Sequence, residues 1–397
     1  MKKKILFMVT TMDVGGVEKS LLSLLSVLPK AKYDVTVLFL DKQGDLLQAI
    51  PDWVKVEEVN WYENVWANII TPPPQILRNY LDGKNYIKAF SFGFTYFLSR
   101  ELNNRYLYYK HIFKRVPKNP TKYDIAIAFQ GPTDMIDYYI AYKVDAKQKI
   151  SWIHFDVSEH YIDKNLYERL YKSFDKIFVV SNEARKQLIA KIPELEGKTE
   201  VLMNIVSKRF ITKMANETVE FDESYQGIRI VTVGRLAMEK GQDIAIKTLS
   251  RLRKDGYDVK WYCIGDGEHR GKYKDVINEF NLNSEFILLG SKLNPYPYIA
   301  QSDIYVQPSR HDGYCIALAE AKCLNKPIVA TNFIGAYEQI INGENGWIVS
   351  TSQDALYKKI KFLIDHPNQQ AKLIENLSKT EIDTTSEVDK LINYIKV

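Results

Sequence analysis

Residues 229–252, RIVTVGRLAMEKGQDIAIKTLSRL, read as a strand, a loop and a helix in immediate succession. The first five form a short buried-strand run, Gly234 and Arg235 open the loop, and Lys240 and Gly241 begin an amphipathic stretch that reaches Leu252. A unit of this kind builds parallel sheet, and here it sets cations at the turn between strand and helix. Glycine lets a backbone approach an anion closely, while Arg235 offers a planar fork and Lys240 a point charge for two phosphate groups. Arg and Lys also occur as solvated loop residues, so both readings stand on this segment alone.

The same pattern continues downstream. Residues 259–264 (VKWYCI) end at Gly265, Asp266 and Gly267, and EFILLG ends at Gly290. In open α/β sheets ligands sit beyond the carboxyl ends of strands. The ends at Gly234, Gly265, Gly290 and Pro308 are therefore expected to converge on one crevice. After Pro308 comes PSRHDGYCIALAEA, residues 308–321, which sets Asp312 and Glu320 eight residues apart. If a helix begins near Gly313, the two acids lie about two turns apart, roughly 12 Å of rise. That is too far to share one proton, so they would serve different parts of a long ligand. A nucleotide-sugar has that length, with hydroxyls at both ends and a diphosphate suited to a helix N-terminus. The competing reading makes Asp312 an N-cap and Glu320 a solvated helix residue.

The N-terminal half carries strand-like runs at 5–10, 34–40, 125–129, 149–154 and 176–180, with a helix at 16–28 between the first two. This alternation predicts parallel βαβ units. Gly15 and Gly16 follow the first strand and precede a helix, the position of a phosphate-approaching loop or of a plain tight turn. The full dinucleotide fingerprint is missing, which argues against nicotinamide. The pattern loosens over 205–227, read as the linker, and Val388, Leu391, Ile392 and Ile395 mark a C-terminal helix.

Composition bounds the rest. A chain of 397 residues forms about two domains, and ordinary hydrophobic (46%) and charged (26%) fractions argue against disorder. The start, MKKKILFMVTTM, reads as a first buried strand rather than a signal peptide. No apolar run reaches bilayer-spanning length. Cys263, Cys315 and Cys323 show no metal spacing and fit a reduced cytoplasm. There is no Asp-x-Asp pair to hold a divalent cation on a diphosphate, so no metal and no other cofactor is expected.

Together these stretches resemble the retaining glycosyltransferases of family 4. The matching motifs are GGVEKSLLSLL at 15–25, VSNEARKQL at 180–188, VLMN at 201–204, VGRLAMEKG, GDGE, LLG, NPYPYIAQSDIYVQPS, the acidic pair, and KPIVATNFIGAYEQIINGENGWIV. The resemblance implies the α/β GT-B fold, two Rossmann-like domains facing across a cleft. The acceptor-side domain would span 1–205 and the nucleotide-sugar domain 206–382, with a helix at 383–397 packing back on the first. It implies transfer of a hexose or N-acetylhexosamine, with retention, from a nucleotide-sugar to a glycan or lipid-linked acceptor in cell-envelope polysaccharide synthesis, uridine being favoured over guanosine. The leaving diphosphate would be stabilised by Arg235 and Lys240, the ribose held by Glu320 and the sugar hydroxyls by Asp312. Donor contacts would also come from Gly15, Gly16, Gly234, Gly265, Asp266, Lys292, Gly313, Tyr314, Cys315 and Ile316, with Glu338 at the cleft edge or simply on the surface. His154, at the end of the strand ISWIH, is read as a substrate hydrogen-bonding residue. A metal pair with His160 lacks regular spacing and a third ligand.

Two departures stand out. The family usually has Glu where this chain has Asp312, and often glycine where it has Cys315. The alternative reading is a catalytically idle relative that binds a nucleotide or glycan as a regulatory or assembly subunit. An epimerase or phosphorylase on the same fold is less supported.

Between Gln75 and Lys122 ten Lys or Arg face two acids, interleaved with eleven aromatics. Such a belt suits anionic headgroups and peripheral contact with the inner face of the plasma membrane; otherwise its aromatics pack on the first sheet. With a net charge of +5 and no accompanying motif, nucleic acid is not an expected partner.

Overall fold

The structure, a computed structural model, describes residues 2–154, 162–219, 221, 224–380 and 382–396. Its contacts divide the chain into two compact units, Met1–Met12 with Leu28–Val201, and Asp13–Val27 with Leu202–Val397.

The first unit is built on seven parallel strands, β1 (Lys3–Val9), β2 (Tyr33–Phe39), β3 (Lys55–Glu58), β4 (Lys122–Gly131), β5 (Asp145–Ile153), β6 (Lys176–Val179) and β7 (Thr199–Val201), in the order β3-β2-β1-β4-β5-β6-β7. Strands β1 and β4 are central and nearly continuous in apolar side chains, as strands covered on both faces must be. Helix α1 (Gly16–Val27) follows β1 and groups with the second unit. Four helices fill the long interval between β3 and β4: α2 (Tyr62–Ile70), α3 (Pro73–Asp82), α4 (Tyr86–Glu101) and α5 (Arg105–Ile112). Then come α6 (Asp134–Lys143), α7 (Lys164–Tyr171) and α8 (Asn182–Lys191).

Part of the basic aromatic belt packs inward and part does not. Tyr109 and Phe113 are buried against Trp61, Tyr138 and Tyr139 in the core. Phe90, Phe94 and Phe97 remain exposed on α4.

The second unit has six parallel strands: β8 (Ile228–Val233), β9 (Val259–Ile264), β10 (Phe286–Gly290), β11 (Ile304–Gln307), β12 (Ile328–Thr331) and β13 (Trp347–Val349). Their order is β10-β9-β8-β11-β12-β13, so the sheet grows outward from β8 in one direction and then, after β10, restarts at β11 on the other side of β8. That reversal between β8 and β11 is the switch point at which doubly wound sheets open a crevice. The helices are α9 (Lys208–Met214), α10 (Gln242–Lys254), α11 (Arg270–Glu279), α12 (Tyr296–Ala300), α13 (Ile316–Cys323), α14 (Ile334–Gln339), α15 (Gln353–Asp365), α16 (Pro367–Lys379) and α17 (Glu387–Lys396). Helix α10 shows why the opening segment folds as it does: Ile244, Ala245, Leu249 and Leu252 recur at helical spacing and are all buried.

Helix α9 lies inside the segment read as linker, its first turn capped by Ser207 Oγ, which accepts the Phe210 amide at 3.3 Å. The C-terminal helix is tied to the residues just before that segment. Glu387 Oε2 accepts the Met203 amide at 3.0 Å, and the Thr384 hydroxyl donates to the Asn204 carbonyl at 2.8 Å. Among the described residues no helix is long and apolar enough to cross a membrane.

Candidate functional site

The loops that leave β8 and β11 meet at the switch point, and they are stitched together. The Arg310 amide donates to the Glu239 carbonyl at 2.7 Å, and its guanidinium reaches the Met238 carbonyl at 2.7 Å. Arg310 also holds Asp243 with two bonds, 2.8 and 2.7 Å, a fork geometry that fixes the first turn of α10. At the contact stands Gly241, with φ of +71°, where a Cβ would lie 2.0 Å from the Pro308 carbonyl oxygen. Only glycine satisfies both the left-handed backbone and this approach. Gly241→Ala is expected to lower stability by about 3 kcal/mol, read as a fall in the urea midpoint at constant m; an unchanged midpoint would show that the two loops can part freely.

The other strand ends join the same knot. The Gly234 amide donates to Ile264, the Leu236 amide to Asp266 and the Gly265 amide to Gly290, at 2.9, 3.0 and 2.9 Å. Gly234, Gly265, Asp266 and Gly290 are thus brought together with Pro308, as the strand pattern predicts.

Two charged clusters stand on this frame. In the first, Lys240 Nζ donates to Asp312 Oδ2 at 2.6 Å, both side chains being largely buried. Burial pulls the Lys240 pKa down, but the neighbouring Asp312 carboxylate outweighs it, and the net shift is upward. Asp312 Oδ1 meanwhile accepts the Cys315 amide at 3.1 Å, and its carbonyl accepts the Gly335 amide at 3.1 Å. Arg235 is more exposed and is engaged by Glu239, Nη2 to Oε1 at 2.6 Å.

The second cluster centres on Glu320, 2% exposed on the inner face of α13. The Tyr296 hydroxyl donates to its Oε1 at 2.8 Å, and Lys19 Nζ approaches the same oxygen at 3.4 Å. Burial raises the Tyr296 pKa well above its usual value, with the Glu320 charge adding to it, so the phenol stays protonated and can donate. Oε2 of Glu320 is buried and finds no hydrogen-bond partner among the described residues. Such an acceptor is costly unless something supplies a donor. Nearby, a Cβ on Gly16 would lie 3.8 Å from Ile316 Cδ1, so the amino ends of α1 and α13 are adjacent.

Two expectations are corrected here. The helix begins at Ile316 rather than near Gly313, because Cys315 sits at φ of +59°, a conformation that interrupts a right-handed helix. Asp312 therefore stands in the loop, and Gly313, Tyr314 and Cys315 form a turn that ends on it. The N-cap reading of Asp312 survives in part, through its bond to the Cys315 amide, whereas a solvated Glu320 does not.

The remaining predicted residues make separate contacts. Asp266 accepts the Gly267 amide at 2.8 Å. Lys292 lies over the Tyr298 ring at 5.9 Å. Gly15 precedes α1, close against the buried Glu18 carboxylate. Glu338 is exposed on α14, while its neighbour Gln339 is buried and donates to the Tyr314 carbonyl. His154 belongs to the first unit, buried at the end of β5 between Phe129 and Trp152, with ring centroids 4.6 and 5.7 Å away. His160 lies outside the described residues. All three cysteines are free and buried, and among the described residues no group of three or more His, Cys, Asp or Glu could hold a metal ion.

Sequence reasoning passed over Lys19 and Tyr296, the two donors on Glu320. Both lie inside quoted motifs, and Lys19 sits three residues after Gly16, the first residue of α1.

Residues 218–380 match the family of glycosyl transferases group 1. An uncharacterized glycosyltransferase of Methanocaldococcus jannaschii is 29% identical over 172 residues, 42% of this chain and 42% of that protein. The N-acetylgalactosamine-N,N'-diacetylbacillosaminyl-diphospho-undecaprenol 4-alpha-N-acetylgalactosaminyltransferase of Campylobacter jejuni is 26% identical over 221 residues, 55% of this chain and 58% of that one. The chain thus spans about half the length of the curated relatives it matches. The crystal structure of Anabaena HepE in complex with UDP and glucose superposes with a TM-score of 0.70 at 17% identity, covering 99% of both chains.

Proposed function

We propose that this GT-B chain, with its glycosyl transferases group 1 segment, is a retaining glycosyltransferase that moves a hexose or N-acetylhexosamine from a uridine diphosphate sugar to a glycan or lipid-linked acceptor in cell-envelope polysaccharide synthesis. The observation that carries this reading is the orphaned Oε2 of Glu320, buried at the switch point beside the amino ends of two helices. A ribose hydroxyl supplies the missing donor, and the adjoining helix ends suit a diphosphate. Uridine is chosen with the UDP of the Anabaena fold relative in view. The lipid-linked acceptor follows the diphospho-undecaprenol substrate in the name of the Campylobacter relative.

In the proposed reaction the bond between the anomeric carbon and the diphosphate oxygen breaks. The acceptor oxygen attacks from the same face, and its proton passes to the departing phosphate oxygen. Lys240 stabilises the leaving charge, assisted by Arg235 once it exchanges Glu239 for phosphate and by the helix ends, without a metal ion. His154 is a hydrogen-bonding residue for substrate.

A thermal-shift screen of nucleotides and nucleotide-sugars tests the donor. At about 100 times its Kd a uridine diphosphate sugar should add roughly 2.7 kcal/mol of stability, and guanosine analogues should add far less. Equal response to both bases would remove the uridine assignment, and no response to either would remove the donor site.

One observation favours the idle-relative reading: both oxygens of Asp312 are already engaged, by Lys240 and by the Cys315 amide. Binding of a uridine diphosphate sugar with neither hydrolysis nor transfer would establish it.

A further inference from the structure

We infer that the exposed face of α4 is a membrane anchor that lies in the headgroup region of an anionic bilayer. Ile87, Phe90, Phe94 and Phe97 recur at i, i+3, i+7 and i+10, one stripe along a helix of 16 residues. They are 87, 76, 56 and 58% exposed. The opposite side is accounted for by Ala89 and Phe92, both buried. The stripe is therefore not a core face in poor register. It is a second apolar face, with the Phe90 and Phe94 rings stacked 6.2 Å apart and presented outward.

Charge identifies the occupant. At 100° per residue Arg100 flanks the stripe about 60° beyond Phe97, and Lys88 lies about 100° from Ile87 toward the buried Phe92, from where long cationic stems can still reach headgroups while the rings sink. Glu101 closes the stripe at its carboxyl end. The segment 75–122 holds ten cations and two acids, so its +8 exceeds the +5 of the whole chain and leaves the other residues at −3. Among the described residues Arg78, Lys84, Lys88, Arg100, Lys110, Lys114 and Arg115 make no ion pair. A second copy docking through this face would bring two such clusters together, which like-charge repulsion opposes. A bilayer containing anionic lipid supplies an apolar layer for the rings and counter-charge for the cations at once.

This rests in part on the reading of a lipid-linked acceptor, which a surface anchor would bring within reach. It is tested without acceptor. The full chain is sedimented with vesicles of phosphatidylglycerol mixed into phosphatidylcholine at about one part in three, and with vesicles of phosphatidylcholine alone. Binding to the anionic vesicles is expected, falling at least about tenfold in Phe90→Ser/Phe94→Ser, with uridine diphosphate binding unchanged. Lys88→Ser/Arg100→Ser should weaken binding to anionic vesicles alone. No binding by wild type, or binding by the phenylalanine variant equal to wild type, would overturn the anchor. So would a wild-type dimer in sedimentation velocity that the phenylalanine variant converts to monomer, since the occupant would then be a second copy. Vesicle binding by a chain that ignores uridine diphosphate would uphold the anchor while removing the donor reading.

Discussion

Lys240→Ala is expected to lower kcat/KM for sugar transfer by about a thousandfold, the loss of a preorganised cation from a leaving diphosphate. It should also lower stability by roughly 3 kcal/mol, because Asp312 would be left largely buried without the partner now 2.6 Å away. The two effects separate in the double variant Lys240→Ala/Asp312→Asn. Removing both charges should return about 2 kcal/mol of the stability while leaving transfer as low as in the single variant. Recovered transfer would mean that Lys240 only neutralises Asp312 and never touches phosphate. The stabilising part of the pair spans neutral pH. The folded pKa of Lys240 is raised above 10.5, so its contribution is fully present below that value and fades as pH climbs through the raised one.

Glu320→Ala should cost about 3 kcal/mol of donor recognition, more than a hundredfold in kcat/KM. The test of its role uses the ligand as second partner in a cycle. Uridine diphosphate lacking its ribose hydroxyls should bind wild type far more weakly than the complete nucleotide, yet bind Glu320→Ala about as well as the complete nucleotide does. If the variant still discriminates between the two ligands, Glu320 is not the ribose acceptor. Tyr296→Phe and Lys19→Met are expected to give smaller versions of the same loss, since each removes one donor that orients the carboxylate.

Which parts of this could be read from residues alone follows from burial. Central strands such as β1, β4, β8 and β9 are covered on both faces and announce themselves as apolar runs. Of the first sheet, the strands that escaped, β3 and β7, are its two edges, where KVEE and TEV are half exposed and have no apolar run to give them away. The helix start at Ile316 escaped for a different reason. Nothing in a sequence marks a cysteine as left-handed, and that one backbone angle moves the helix start from near Gly313 to Ile316, away from Asp312. The acids and cations of the site were legible because the turns carrying them are short and glycine-marked. Their partners were not, since Tyr296 and Lys19 reach Glu320 across 24 and 301 residues of chain.

The reversal in strand order between β8 and β11 also decides when the chain can first grip a nucleotide. One jaw is complete by Gly241 and the other only after Pro308, and they close when Ile304 and Tyr305 pair with Ile230 and Val231. A nascent or clipped chain that stops after β10 would present three good strands of the second sheet and no affinity. Ligand occupancy is therefore a certificate of finished topology, and nucleotide added during refolding should trap the completed sheet without hastening its earlier steps.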